Sequence, residues 1–181
     1  PIETDKETTG MFAICREADR APLSEGDLEL LRILAAEASV AVRSHQSLSR
    51  MEDNCLSCLH SSASRVEEKS PHTKGHMERV AQLSRQLARK AGLDGNEVEV
   101  AALAASLHDL GKLGVSETVL SKPEWPSAEE QNTLRQHPAI ADEILACLPF
   151  LSRARDIIRH HHEQFDGAGY PDGLTGEEIT P

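Results

Sequence analysis

The stretch His108-Asp109-Leu110-Gly111-Lys112 places two metal-type ligands and a lysine directly after an apolar segment, residues 98–107. Gly111 and Gly114 follow, and glycine disfavours a continuing helix. The pattern therefore predicts a buried helix that ends at a polar site. Neighbouring residues on a helix point about 100° apart, so His108 and Asp109 are not the i, i+4 pair that chelates a single ion. They suit a site with two ions, or one ion held at a helix end.

The overall composition predicts a folded, mostly helical domain. Of the 181 residues, 39% are hydrophobic, 27% are charged and only 3% are aromatic, so the core must consist mainly of Leu, Ala, Val and Ile. The formal net charge of −11 argues against binding nucleic acid or an anionic membrane through a basic face. It leaves room for a small anionic substrate, because a metal centre can reverse the local sign of charge.

The cysteines do not form a disulfide framework. They stand at positions 15, 55, 58 and 147, and the single C-x-x-C of Cys55 and Cys58 lacks the second pair that a structural zinc site needs. Reduced thiols, no signal peptide and no apolar run of membrane-spanning length predict a cytoplasmic protein. Because the chain starts at Pro1 and not at Met, we expect it to be part of a longer protein.

The first third of the chain predicts one strand and one long helix. Residues 10–16 favour a strand whose partners would precede Pro1, and residues 18–22 favour a turn. Ser24-x-x-Asp27 resembles a capping box that opens a helix. Apolar residues then recur at helical spacing, and a loose heptad pattern continues to Glu68. A parallel homodimer through helix 25–68, with a signal passing along it, is the preferred interpretation; an ordinary linker is the alternative.

From residue 70 onward the pattern is all-α. Helices are predicted over 74–91, from the Asp94-x-x-Glu97 start through the apolar segment, from Ser127-x-x-Glu130, over 139–147 and over 151–163. A glycine-rich loop follows at 166–176. No strand is predicted in this part, so the fold class is an all-α helical bundle.

Histidines are concentrated in the same part of the chain. Seven of the nine lie between positions 72 and 162. Neutral imidazole and carboxylate are suitable ligands for Fe, Mn, Zn or Ni. Five histidines with one aspartate are too many for one structural zinc, and they suit two ions that share a bridging carboxylate. These residues are His76, His108, Asp109, His137, His161 and His162.

Five motifs in order resemble the HD-GYP domain, a bacterial branch of the HD phosphohydrolases. They are T-x-x-H-x-x-R-V (73–80), HDLGK (108–112), L-x-K-P (120–123), HP (137–138) and HHEQFDGAGYP (161–171). The resemblance implies an HD-type bundle that hydrolyses cyclic di-GMP to pGpG or GMP with two or three metal ions, often iron or manganese. Two ions a few Å apart can activate water and stabilise the charge on the displaced oxygen. Some members of the family are inactive and act as binding modules.

The resemblance also implies roles for individual residues. The five histidines match metal ligands, Asp109 matches the carboxylate that bridges two metals, and Lys112 matches the lysine that reaches the scissile phosphate. His72 occupies the position where some members recruit a third metal. In the family, the loop that flanks the site has been linked to the binding of a partner, such as a diguanylate cyclase domain. The matching residues here are Asp166, Gly167, Gly169, Tyr170 and Pro171.

The segment before this domain resembles the C-terminal end of a GAF domain, a ligand-sensing module; a generic amphipathic helix is the alternative. The expected division is therefore a GAF fragment at 1–45, a helical linker at 46–69 and a truncated HD-GYP domain at 70–181. The family has one more ligand Asp after the GYP loop, together with basic residues that grip the substrate. We therefore expect these 181 residues alone to be inactive. Ser70 and Glu124 also depart from the family pattern.

A sensor-regulated, metal-dependent cyclic di-GMP phosphodiesterase is the leading functional hypothesis. One alternative is an inactive regulator that binds nucleotide or a partner protein. The other is a hydrolase of a different phosphoester, such as another cyclic dinucleotide. The complete set of histidines and Asp109 favours the enzyme.

Overall fold

The computed structural model describes residues 2–4, 7–15, 22–68, 75–122 and 124–180. The chain divides into two compact units, Pro1–Cys55 and Leu56–Pro181. The predicted His72, the Ser70-Pro71 helix stop, the Thr73 cap and Pro123 lie outside the described residues.

The first unit begins with a short hairpin and not with the predicted strand. Strands β1 (Ile2–Thr4) and β2 (Glu7–Gly10) pair antiparallel, so the partner strand comes from within the chain. Residues 11–15 are not in a strand. Met11 and Phe12 are 78% and 49% exposed, so this apolar run has neither a ladder nor a buried face to hold it extended. The strand predicted at 10–16 is therefore wrong over residues 11–15.

One long helix, α1 (Glu25–Glu68), crosses both units as predicted. Its start is the expected capping box: the Asp27 amide donates to Ser24 Oγ at 3.2 Å, and the Ser24 amide donates to Asp27 Oδ2 at 2.7 Å. No helix within the described residues is long and apolar enough to cross a membrane.

The second unit is built from short helices joined by tight turns. They are α2 (His76–Ala91), α3 (Gly95–Leu107), α4 (Glu117–Leu120), α5 (Ala128–Leu134), α6 (His137–Leu145) and α7 (Ser152–His160). Three 3-10 turns, Leu110–Gly114, Pro149–Leu151 and Gly176–Glu178, complete it. Between residues 75 and 180 the described chain contains only an isolated bridge, Asp166 with Thr175, so the all-α class is confirmed.

The helix ends follow the predicted capping signals. Capping boxes occur at Asp94 with Glu97 and at Ser127 with Glu130, and Gly92 closes α2 in the left-handed conformation at φ 86°. Helix α6 begins at His137 rather than at 139, because Pro138 is well suited to the first turn of a helix. Helix α7 ends at His160, three residues before the predicted end.

The core of the second unit lies where α3, α6 and α7 meet the end of α1. Its large side chains are completely or almost completely buried, and each contributes about 1.5–3 kcal/mol on burial. They are Leu107, Leu110, Leu145, Leu151 and Ile158. Small residues between them, including Ala104 and Ala141, allow the helices to approach closely. This packing brings the C-terminal end of α3 next to the start of α6 and the end of α7.

Candidate metal centre

Two groups of potential metal ligands lie at these helix ends. The His-Asp cluster consists of His76, His108 and Asp109, and the three-histidine cluster consists of His137, His161 and His162. Within each cluster, one ligand atom per residue lies within 4.8 Å of the others. His137 Nε2 and His161 Nε2 are 3.2 Å apart. Convergent nitrogen and carboxylate atoms at these spacings fit divalent transition-metal ions.

Asp109 belongs to the His-Asp cluster and also faces the three-histidine cluster. Its Oδ2 is 3.4 Å from His108 Nε2 and its Oδ1 is 3.6 Å from His137 Nε2, so its two oxygens face different clusters. Lys112 Nζ donates to Oδ2 at 2.7 Å. A carboxylate with one oxygen toward each group is the arrangement that a bridging ligand needs.

Three of the imidazoles are anchored by the end of the helix that precedes each of them. The Nδ1 atoms of His108, His137 and His161 lie 2.7 Å from the carbonyl oxygens of Ala105, Leu134 and Ile158, each three residues earlier in the chain. A carbonyl oxygen only accepts, so Nδ1 carries the proton and donates it. The Nε2 lone pair is then directed into the site, as a metal ligand requires. The last carbonyls of a helix lack partners within the helix, which explains why this bond forms there.

Burial sets the charge state of the centre. It lowers the pKa of His137, His161 and His162 to about 4, so these imidazoles are neutral at pH 7. For Asp109, burial acts to raise the pKa, but His108, Lys112 and His137 together outweigh it and hold the pKa below its ordinary value. The site thus presents neutral nitrogen donors and an ionised carboxylate, which are the forms that bind metal.

Close backbone contact fixes the spacing between the helix ends. A Cβ atom at Gly111 would lie 1.8 Å from the His137 carbonyl oxygen, well inside van der Waals contact. Only glycine permits the turn after Asp109 to lie directly against the start of α6. The Gly in the HDLGK motif therefore keeps Asp109 near His137.

The GYP loop packs beside the three-histidine cluster. The Tyr170 ring stacks on His162 with centroids 4.8 Å apart, and the Tyr170–Pro171 peptide is cis. Glu163 holds the loop by accepting three backbone N–H groups, at 2.7–3.0 Å. They belong to Asp172, Gly173 and Leu174. The Asp166 side chain accepts the Ala168 N–H, so its contact is within the loop.

The structure brings together His76, His108, Asp109, Lys112, His137, His161, His162 and Tyr170. Sequence reasoning missed Glu163 and Glu67. Glu163 stands inside the quoted HHEQFDGAGYP motif, and a carboxylate just before a glycine-rich loop with many free N–H groups was a usable signal. Glu67 had no such signal, because its partners depend on how α1 packs.

Comparison with known proteins agrees with this architecture. The family described as HD domain matches residues 62–181, more than half of the chain. A cyclic di-GMP phosphodiesterase response regulator of Xanthomonas campestris pv. campestris is 35% identical over 150 residues, covering 82% of this chain and 37% of that protein. A cyclic di-GMP phosphodiesterase of Thermotoga maritima is 38% identical over 115 residues, covering 62% and 31%.

A third relative has a different named substrate. The 3'3'-cGAMP-specific phosphodiesterase 3 of Vibrio cholerae is 39% identical over 132 residues, covering 72% of this chain and 28% of that protein. The chain thus spans less than two fifths of the length of each of these three relatives. From the extent of the family match, together with the helical fold and the clustered histidines and aspartate, the chain belongs to the HD domain family.

Proposed function

We propose that this chain is the HD-GYP domain of a metal-dependent phosphodiesterase that hydrolyses cyclic di-GMP. One observation carries the proposal: Asp109 directs one oxygen toward each cluster, and Lys112 lies 2.7 Å from that carboxylate. Such a centre has the parts that hydrolysis of an anionic diester needs. The relatives named as cyclic di-GMP phosphodiesterases support the substrate.

The residues of the site would have different roles in the reaction. The five histidines and Asp109 would hold two divalent ions, with iron or manganese expected. Bound ions of this kind act as Lewis acids toward the phosphoryl oxygens and lower the pKa of water. His72 remains a candidate for a third ion. In the reaction, a water oxygen joins phosphorus while one P–O ester bond breaks, giving linear pGpG and then GMP.

Lys112 supplies positive charge at the site of a protein whose formal net charge is −11. Its ammonium group is positioned by Asp109, so it can interact with the phosphodiester without losing its orientation. A cavity of about 240 Å³ borders Asp109 and Lys112, and its apolar wall includes Val119, Leu120 and Leu134. The cavity offers room for part of a substrate whose phosphate lies at the clusters.

Two expectations about regulation and assembly remain part of the proposal. A GAF-type sensor in residues 1–45 would act through the linker 46–69 on the domain at 70–181. A homodimer through α1 is supported by apolar side chains that are 52–66% exposed. They are Leu30, Ile33, Val40, Leu48 and Met51.

The GYP loop is the proposed contact for a partner such as a diguanylate cyclase domain. Phe165, at the start of this loop, is 76% exposed, and the Arg135 guanidinium lies 5.4 Å from the Tyr170 ring centroid. Aromatic residues and arginine are both enriched at protein contact surfaces.

A different cyclic dinucleotide is the second candidate substrate, because one relative is named as specific for 3'3'-cGAMP. Both substrates should be tested on the full-length protein, purified without oxygen and loaded with Fe²⁺ or Mn²⁺. We expect about two bound ions and hydrolysis of cyclic di-GMP that Asp109→Ala abolishes. Turnover of 3'3'-cGAMP alone would change the substrate. Metal without any turnover, or neither metal nor turnover, would favour the inactive regulator.

These 181 residues should also be tested alone. Following the family pattern, we propose that on their own they hydrolyse little or no substrate. Turnover by residues 1–181 at the rate of the full-length protein would contradict this.

A further inference from the structure

Glu67 is a buried carboxylate that the proposed chemistry does not use. It lies near the end of α1 with only 9% of its surface exposed. Its Oε2 accepts the Gly75 N–H at 3.1 Å, and its Oε1 accepts the Met77 N–H. These two backbone amides stand on either side of His76.

The contact replaces a cap that α2 does not provide for itself. Gly75 lies at the N-terminus of α2 with φ 69°, and it supplies no side-chain cap. The first N–H groups of a helix have no partner within the helix, and a carboxylate there also complements the helix dipole. The first turn of α2 is therefore held by a side chain from α1.

This arrangement distinguishes His76 from three of the other histidines. His108, His137 and His161 are each bonded to the carbonyl three residues earlier, at the end of the preceding helix. Within the part of the chain that the structure describes, His76 has no such carbonyl contact. Its ring lies near His108, with centroids 5.4 Å apart, and its backbone neighbours are held by Glu67.

We propose that Glu67 is a positioning residue for His76, and that α1 acts through it on the His-Asp cluster. Displacement of the end of α1 would move the first turn of α2 and withdraw His76 from His108 and Asp109. His137 and His161 are anchored by carbonyls three residues earlier, so the three-histidine cluster would keep its ion. The inference rests on the proposed two-metal function and names the contact through which α1 regulates it.

The test is a titration with Mn²⁺ alone in the full-length protein, with Glu67→Ala, Glu67→Gln and the matched control Glu68→Gln. Glu68 is the neighbouring, exposed carboxylate of the same helix. Outer-shell partners of ligands are typically worth about 10–100-fold in metal affinity. We expect Glu67→Ala to weaken one of the two sites by about that factor, Glu67→Gln to weaken it less, and Glu68→Gln to match the wild type.

Electron paramagnetic resonance gives a readout that general destabilisation does not reproduce. The spin-coupled signal of a Mn²⁺ pair should convert to that of a single ion in Glu67→Ala. Equal weakening of both sites, or affinities equal to those of Glu68→Gln, would overturn the inference. If Glu67→Ala does not fold, Glu67→Gln decides by the same criteria.

The result is separable from the fate of the proposed function. If the wild type binds two ions but hydrolyses no cyclic dinucleotide, the enzyme proposal fails, while selective loss of one site still supports the role of Glu67. If the wild type binds no metal, both proposals are overturned.

Discussion

In the three-histidine cluster, His137 and His161 are each bonded to a carbonyl three residues earlier, and His162 stacks on Tyr170. In the His-Asp cluster, His108 has the same kind of anchor, but the turn that carries His76 is held by Glu67 of another helix. The first cluster is thus held largely by local contacts, and the second depends on a tertiary one. A centre built in this way can keep one site intact while the other responds to the position of α1.

The largest effect is expected where the two clusters meet. Asp109→Asn removes the charge that faces both clusters, so we expect loss of both ions and a fall in the rate of hydrolysis of about a thousandfold or more. Metal analysis and a hydrolysis assay check this, with Glu143→Gln, an exposed position on α6, as the control. Loss of one ion only would show that Asp109 serves a single cluster.

Removing one histidine from each cluster tests their independence. We expect His76→Ala and His137→Ala each to abolish one ion, with affinity falling by more than about a hundredfold, since outer-shell partners alone are worth about 10–100-fold. His137 is 3% exposed, so its truncation leaves a cavity and should also lower Tm, by about 2–4 °C per kcal/mol lost. Calorimetry of both variants checks this. A larger fall in Tm for His76→Ala than for His137→Ala would contradict the expected difference between the two clusters.

Lys112 separates charge stabilisation from metal binding. The Lys112 ammonium group contacts Asp109, but Lys112 is not one of the proposed metal ligands. Lys112→Met should therefore keep both ions and reduce kcat by about a hundredfold. Lys90→Met, an exposed position on α2, is the matched control. A loss of metal in Lys112→Met equal to that in Asp109→Asn would assign Lys112 a structural role.

Among the described residues, the GYP loop contacts the three-histidine cluster through Tyr170. Glu163→Gln weakens the contacts to three backbone N–H groups, so we expect a loss of about 1–3 kcal/mol and faster proteolysis of residues 166–175. Glu177→Gln, an exposed change in the same region, serves as the control. Unchanged Tm and proteolysis would mean that the loop is held by other contacts.

The last prediction concerns how the stability of the metal-free protein depends on pH. Folded His137, His161 and His162 have pKa values of about 4, below the ordinary 6.5, so the unfolded chain binds more protons between these limits. Stability should therefore decrease as pH falls from 6.5 to 4, and Tm should fall with it. His162→Gln should flatten this dependence. An unchanged slope in His162→Gln would contradict the assigned shift.

Much of the second unit could be predicted because its signals are local. Capping boxes at Asp94 and Ser127, the stop at Gly92 and the apolar segment before His108 each depend on residues a few positions apart, and all are confirmed. The strand at 10–16 was wrong over residues 11–15 because an apolar run forms a strand only where a partner and a buried face exist. The GAF assignment and the catalytic roles stay predictions.

The sequence alone determines the ligand types, their order and their placement at helix ends, because a helix ends where its capping signals stand. The last carbonyls of each helix have no partner within the helix, so they can orient an imidazole. Only the folded chain decided which ligands share a cluster and that Asp109 faces both clusters. It also decided that Glu67 accepts the backbone N–H groups on either side of His76. Those relations join residues far apart in the chain: the ring centroids of His108 and His161, which are 53 positions apart, lie 5.2 Å from each other. Their distances are set by buried leucines, small alanines and the close contact at Gly111, which no spacing in the sequence encodes.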